Sequence, residues 1–272
     1  MAIGGSPEQN FFEDILKRES GLVLTPERGY LLETRLLPVA YRHGLDGLSG
    51  MALKLKATND PELLREVVEA MALGDTAFFR DYAAFQKLQH DILPRLIMAR
   101  AAAKTLHIWS VACGSGQEPY SVAMLLLESG LILNEWKIDI DATDISQEAL
   151  THARGGVYTQ LEVQRGLPAK YLVKYFTQDG PKWHIKPEVR DMVRFSPGNL
   201  IISAGSTGAC DLILCRNVLQ NFDTPTQMKV LQSLKSSLRR DGVLMLGLGE
   251  TALGVFKPVD EANGIFGVEG LS

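Results

Sequence analysis

Cysteine is scarce: Cys113, Cys210 and Cys215 are the only three in 272 residues. Their odd number and the lack of a CxxC spacing fit reduced thiols in a cytosolic protein better than a disulfide framework. The five histidines are scattered, with no HExxH and no cysteine at ligand spacing, so no metal site is expected. No run approaches about 18 apolar residues, which argues against a membrane-spanning helix. Met1 to Asn10 has neither a basic start nor an apolar core, so it does not read as a secretory signal, and a cytoplasmic location is expected. A positive excess is absent too. The net charge of −4 supplies no general field for phosphate backbones, so nucleic acid is not an expected partner.

What is present is an ordinary globular composition, 46% apolar and 22% charged, which leaves no room for long disordered stretches. The length suggests one large domain or two. Up to about residue 72 the chain reads as helices. Phe11, Phe12, Ile15 and Leu16 share one face of Pro7 to Ser20, with Gly21 placed to stop the run. Thr25-Pro26 reads as a cap and first helical residue opening a helix through Tyr30 to Leu32, which Pro38 should kink or end. Asp60-Pro61 repeats that signal ahead of Leu63, Leu64, Val67, Val68 and Met71.

From about Lys104 short β-type runs alternate with amphipathic helices, the pattern of a parallel sheet covered on both faces. The runs are Leu106 to Val111, Trp136 to Thr143, Met192 to Phe195, Asp211 to Cys215 and Val243 to Leu248. Helices are expected near Glu118 to Leu127, Ser146 to Ala153 and Thr226 to Leu238. A stretch at about 176–195, with Gly180-Pro181 beside Trp183, Ile185 and Lys186, reads as a small β insertion.

Chemistry concentrates after the first run. In Ser110-Val111-Ala112-Cys113-Gly114-Ser115-Gly116-Gln117-Glu118 a strand gives way to a GxG loop and a helix. Ligands of open parallel sheets sit at such carboxyl ends, where glycines admit close approach. The loop lacks the full GxGxxG and the GK[ST] of a phosphate loop, so a diphosphate is disfavoured. A glycine loop beside a carboxylate suits a ligand with positive charge and hydroxyls, such as the sulfonium and ribose of S-adenosylmethionine. Asp144, closing the second run, is placed to accept from ribose hydroxyls. Its other reading is a helix cap, with Gln147 completing a capping box.

The combination resembles a known family. Thr76-Ala77-Phe78-Phe79-Arg80-Asp81, the loop Ala112 to Ser121, Asp144-Ile145-Ser146, Asn199-Leu200 and Asp211-Leu212-Ile213-Leu214-Cys215-Arg216-Asn217-Val218-Leu219 occur in the order and spacing of the chemotaxis receptor methyltransferases, the CheR family. The resemblance implies an α/β chain: a small all-helical N-terminal domain, 1–72, followed by a Rossmann-like class I methyltransferase domain, 73–272, with the β insertion. It implies S-adenosyl-L-methionine as cofactor, S-adenosyl-L-homocysteine as product and glutamates of chemoreceptor helices as substrate. Carried over residue by residue, Thr76 and Arg80 lie in a linker closing over the cofactor. Arg80 is the candidate for its carboxylate and for a catalytic role, since a guanidinium offers planar paired donors. Ala112, Gly114 and Glu118 approach the cofactor, Asp144 binds the ribose, Asn199 and Leu200 flank the adenine, and Arg216 and Asn217 line the pocket.

Two positions depart from that pattern. Gly74 stands where the family has asparagine, and Asn221 stands at the catalytic position where it has a tyrosine near the methyl donor. They motivate the alternative of a non-catalytic module that binds S-adenosylmethionine or S-adenosylhomocysteine. A glutamate with a pKa near about 4.3 is already ionised at neutral pH, so methyl transfer needs no strong base and can rest on orientation. Arg28, Arg35 and Arg42 recur every seven residues, and Arg28 and Arg35 are expected to share a helix face able to dock on an acidic receptor helix. The short insertion, with Gly180 before Pro181, suggests no dependence on a tethering receptor peptide. A monomer is expected.

Overall fold

Local signals bracket the first helix, α1 (Pro7–Ser20). Ser6 Oγ accepts from Gln9 N at 3.2 Å, Pro7 occupies the first turn, and Gly21 (φ 75°) closes the helix by donating to Lys17 O. The computed structural model describes residues 6–25, 28–72, 74–130, 135–202 and 209–269. They group into two units: Met1–Leu73 with Gln220–Gln227, and Gly74–Leu219 with Met228–Ser272.

In the first unit α2 (Tyr30–Arg42), α3 (Gly47–Thr58) and α4 (Pro61–Ala72) follow α1. Phe12, Leu16, Leu36, Met51, Leu63 and Val67 are fully buried together, each contributing roughly 1.5–3 kcal/mol of transfer free energy. Asp60 caps α4 as expected, its Oδ1 accepting from the amides of Glu62 and Leu63. Three expectations are corrected. α2 starts at Tyr30 with Gly29 as its cap, and Pro26 lies outside the described residues. Of the two outcomes expected at Pro38, a kink or an end, the end does not occur, since α2 continues to Arg42 with Leu36, Val39 and Ala40 buried. The lost amide is outweighed by that packing. Arg28 therefore precedes α2 and shares no helix face with Arg35. The helix α3 had no strong signal, since Gly47, Ser49 and Gly50 dilute its apolar face.

The second unit opens with α5 (Tyr82–Lys87), a π-helical turn at Leu88–Ile92 and α6 (Leu93–Ala99). Then come β1 (Thr105–Val111), α7 (Gln117–Glu128), β2 (Lys137–Asp144), α8 (Gln147–Gly155), β3 (Val157–Thr159), α9 (Gln160–Gln164), α10 (Ala169–Tyr175), β4 (Phe176–Asp179), β5 (Lys182–Ile185), α11 (Pro187–Arg190) and β6 (Val193–Pro197). The chain closes with β7 (Cys210–Cys215), α12 (Thr224–Ser237), β8 (Leu238–Leu246), β9 (Lys257–Asp260) and β10 (Ile265–Gly267). The main sheet has the order β6-β2-β1-β7-β8-β10-β9. Strands β6, β2, β1, β7 and β8 run parallel, and β10 and β9 pair antiparallel at one edge.

Every residue of α7 from Gln117 to Leu126 is buried, so its polar members Glu118 and Ser121 must find partners inside the protein. The insertion is larger than the expected 176–195 at its start and smaller at its end. Strand β3 joins β5 and β4 in a separate three-stranded sheet, whereas Val193 to Phe195 belong to β6 of the main sheet. The short strands β9 and β10 carried no period long enough to read.

Candidate active site

Beyond Val111 the chain turns through Ala112 (φ 52°), Gly114 (φ 56°) and Gly116 (φ 93°) before entering α7. These left-handed conformations suit glycine. At Gly116 a Cβ would also press on Ala153 at 3.0 Å and on Phe195 and Tyr120 at 3.2 Å. The loop is fastened from its neighbours. Cys113 N donates to Thr143 O at 3.0 Å, and Tyr158 Oη donates to Ser115 O at 2.8 Å. Thr76 lies beside it, since a Cβ on Gly114 would stand 3.2 Å from Thr76 Cγ2.

Asp144 is buried at the end of β2. Its Oδ2 accepts from Gly114 N at 2.8 Å and its Oδ1 from Ser146 N at 2.9 Å. The helix-cap reading of Asp144 is corrected: Ser146 is the cap of α8, accepting from Ala149 N. Asp144 is left to tie two strand ends together. Across the same edge Gly198 N donates to Asp144 O at 3.0 Å, which brings Asn199 and Leu200 to the end of β2. Asn199 Oδ1 accepts from Ile201 N at 3.1 Å, an Asx turn that aims the segment.

Glu118 is buried on α7, where Ser110 Oγ donates to its Oε1 at 2.8 Å and Arg216 Nη1 lies 3.4 Å from its Oε2. Burial pushes its carboxyl up, and the Arg216 charge opposes that shift. Arg216, at the end of β7, also donates through Nη2 to Arg80 O at 3.0 Å and to Asp81 Oδ2 at 2.7 Å. Its guanidinium stands 5.3 Å from the centre of the Phe85 ring. Its Nε is buried and has no hydrogen-bond partner among the described residues. Arg80 Nη1 donates to Asp75 O at 2.8 Å, and its charge reaches Glu118.

Asn217 adopts φ 60°, and its amide donates to Glu250 Oε2 at 2.8 Å, as does the amide of Gly247. A Cβ on Gly247 would strike the Asn217 side chain at 2.6 Å, so this glycine is required by the asparagine packed on it. Cys113 and Cys215 line the same edge as thiols. Burial pushes both up, with Asp144 and Glu118 adding to the shift at Cys113, and Glu250 and Glu118 at Cys215. Neither is a poised nucleophile.

Thr76, Arg80, Ala112, Gly114, Glu118, Asp144, Asn199, Leu200, Arg216 and Asn217 thus gather at the carboxyl ends of β1, β2 and β7. Arg28, Arg35 and Asn221 group instead with the helical unit. There Arg28 Nη1 donates to Asn221 Oδ1 at 3.0 Å, and Arg35 Nη1 donates to Met71 O at 2.9 Å in the last turn of α4. Sequence reasoning missed Ser110, Asp81, Ser121 and Glu250 as site residues. Ser110, Asp81 and Ser121 were inside quoted motifs, and Glu250 follows Gly247-Leu248-Gly249 at a strand end, a usable signal. Among the described residues no cluster of His, Cys, Asp and Glu could hold a metal.

Residues 74–263 match the family model described as "CheR methyltransferase, SAM binding domain". The chain belongs to the CheR methyltransferase family. A relative named "Chemotaxis protein methyltransferase Cher2", from Pseudomonas putida, is 34% identical over 248 residues, covering 90% of both chains. "Chemotaxis protein methyltransferase 1" of Pseudomonas aeruginosa is 37% identical over 88% of both. "Chemotaxis protein methyltransferase" of Vibrio parahaemolyticus is 36% identical over 91% of this chain and 90% of its own. The Rossmann-like fold and the S-adenosylmethionine cofactor follow from membership of CheR. The residues present fit that cofactor: the buried Asp144 holds the Gly114 amide of the glycine loop, Glu118 is buried in the first turn of α7 that follows it, and Arg216 Nε, without a partner among the described residues, is a buried donor suited to an anionic oxygen.

Proposed function

We propose that this CheR protein transfers a methyl group from S-adenosyl-L-methionine to glutamate side chains on the cytoplasmic helices of chemoreceptors, as a monomeric protein-glutamate O-methyltransferase. Relatives named as chemotaxis methyltransferases, aligned over about nine-tenths of this chain, carry the reading, and they favour methyl transfer over a binding-only module. The cofactor supplies an electrophilic methyl on a sulfonium. Bound there, that methyl would be taken up by the ionised substrate carboxylate, with the C–S electron pair staying on the departing sulfur.

In this scheme Asp144 binds the ribose and holds Gly114. Asn199 and Leu200 bound the adenine, Glu118 stands toward the methionyl end, and Thr76 and Arg80 close over it, with Arg80 on the carboxylate. No base is assigned, because the substrate is ionised at neutral pH. Orientation is the main contribution, worth up to roughly 7–11 kcal/mol in well-aligned systems. In sequence Asn221 stands where the family has its tyrosine, and its Oδ1 accepts from Arg28 Nη1. Residues 1–72 form the receptor-engaging domain and 73–272 the catalytic domain. Arg28 remains the exposed docking candidate, whereas Arg35 is committed to α4.

The test is incubation with methyl-labelled S-adenosylmethionine and a chemoreceptor cytoplasmic fragment. Label in the receptor that mild base releases as methanol is the expected result, since only an ester is so labile. No label, or base-stable label, would reject glutamate esterification.

A further inference from the structure

Arg80 sits between two strained neighbours. Phe79 (φ 47°) and Asp81 (φ 59°) both adopt left-handed backbone, although neither is glycine. Such conformations persist only where the surroundings over-determine them, and they concentrate at functional positions. Here each has its own fastening. The Phe79 amide donates to Ser121 Oγ at 3.0 Å, and Ser121 Oγ in turn donates to Gln117 O at 2.6 Å one turn back along α7. The Phe79 ring stacks on Tyr171 with centroids 4.9 Å apart. On the other side, Arg216 Nη2 holds both the Arg80 carbonyl and the Asp81 carboxylate. Ser121 and Arg216 are themselves buried, so the turn is anchored to α7 and to the end of β7.

What the strained backbone fixes is the direction in which the Arg80 side chain leaves. We propose that Asp81 and Ser121 are positioning residues, holding Arg80 in the orientation in which it binds the methyl donor. Asp81 acts through its ion pair with Arg216, and Ser121 acts through the Phe79 amide. The inference rests on the reading of Arg80 as a donor contact and extends it to two residues without a direct ligand role.

The experiment is calorimetric titration of the full chain with S-adenosylhomocysteine, for Asp81→Asn, Ser121→Ala, Arg80→Ala and the doubles Asp81→Asn/Arg80→Ala and Ser121→Ala/Arg80→Ala. Asparagine tolerates the left-handed backbone, so Asp81→Asn removes charge without adding strain. Each of Asp81→Asn and Ser121→Ala should weaken binding about tenfold, which corresponds to about 1.4 kcal/mol. In each double the affinity should stay within about twofold of Arg80→Ala alone, because residues acting through one group are not additive. A further tenfold loss in the doubles, or unchanged affinity in both singles, would overturn the proposal. The two variants touch different fastenings, so one that folds poorly leaves the other to decide. If the unaltered protein does not bind S-adenosylhomocysteine, the donor reading fails and takes this one with it. If it binds and the singles do not differ from it, only the positioning role is lost.

Discussion

The Gly114 amide donates to Asp144 Oδ2 at 2.8 Å, so the carboxylate at the end of β2 clasps the loop at the end of β1. Asp144→Ala leaves the amides of Gly114 and Ser146 without that acceptor. Hydrogen bonds to charged groups are worth about 1.5–3 kcal/mol, so affinity for S-adenosylhomocysteine should fall roughly 10- to 100-fold in calorimetry. Asp144→Asn keeps an acceptor oxygen and should lose less. Equal affinity for all three proteins would show that the clasp is irrelevant to binding.

Gly166 has φ 90°, and a Cβ there would drive into the Phe78 carbonyl oxygen. Backbone strain alone costs about 1–3 kcal/mol. Gly166→Ala should therefore lower the thermal midpoint clearly, whereas alanine at Gly130, whose Cβ meets nothing, should cost only the left-handed penalty. A smaller loss at Gly166 than at Gly130 would contradict the close approach.

Pro38 lies inside α2 and offers no amide to the carbonyl of Thr34. Proline in a helix interior costs about 3 kcal/mol relative to alanine in exposed hosts, and Pro38 is exposed. Pro38→Ala should raise stability by about 1–3 kcal/mol in urea titration, and a lowered midpoint would mean that the ring is needed for packing.

His107 is pushed up to about 9 from 6.5, by the Cys210 sulfur 3.8 Å from Nδ1 and by Asp141 2.9 Å from Nε2, against the opposing effect of burial. A folded pKa above the unfolded one gives stability that is complete below about 6.5 and lost as pH rises through about 9. With partial exposure discounted, the loss should be about 1–2 kcal/mol. His107→Gln should flatten urea midpoints across that interval. A wild-type profile already flat from pH 6 to 9 would remove the effect.

How far the sequence carried depended on the range of each signal. The end of α1 and the start of α4 were legible because Gly21 and Asp60 act within four residues of what they cap. The five parallel strands were legible as apolar runs between loops. α3 was not, for its glycines hide the stripe, and α2 ran past Pro38 because burial overrode a local rule. The glycine loop and Asp144 announced themselves by residue type and spacing. The fastening of Arg80 did not, since Arg216 and Asp81 are separated by 135 positions, and no local pattern reveals that Phe79 and Asp81 are left-handed.

Gln220–Gln227 groups with the helical unit, although some 146 residues separate it from that unit's main stretch, Met1–Leu73. Within it, Val23 N donates to Asn221 O at 2.8 Å, Leu22 bridges Phe222, and Lys17 pairs with Asp223 at 2.9 Å. During synthesis the first four helices therefore emerge long before their last piece, and the unit stays unfinished until the ribosome has passed Gln227. A nascent chain stalled before that point should remain open to protease near Leu22 and Val23, and one released after it should close.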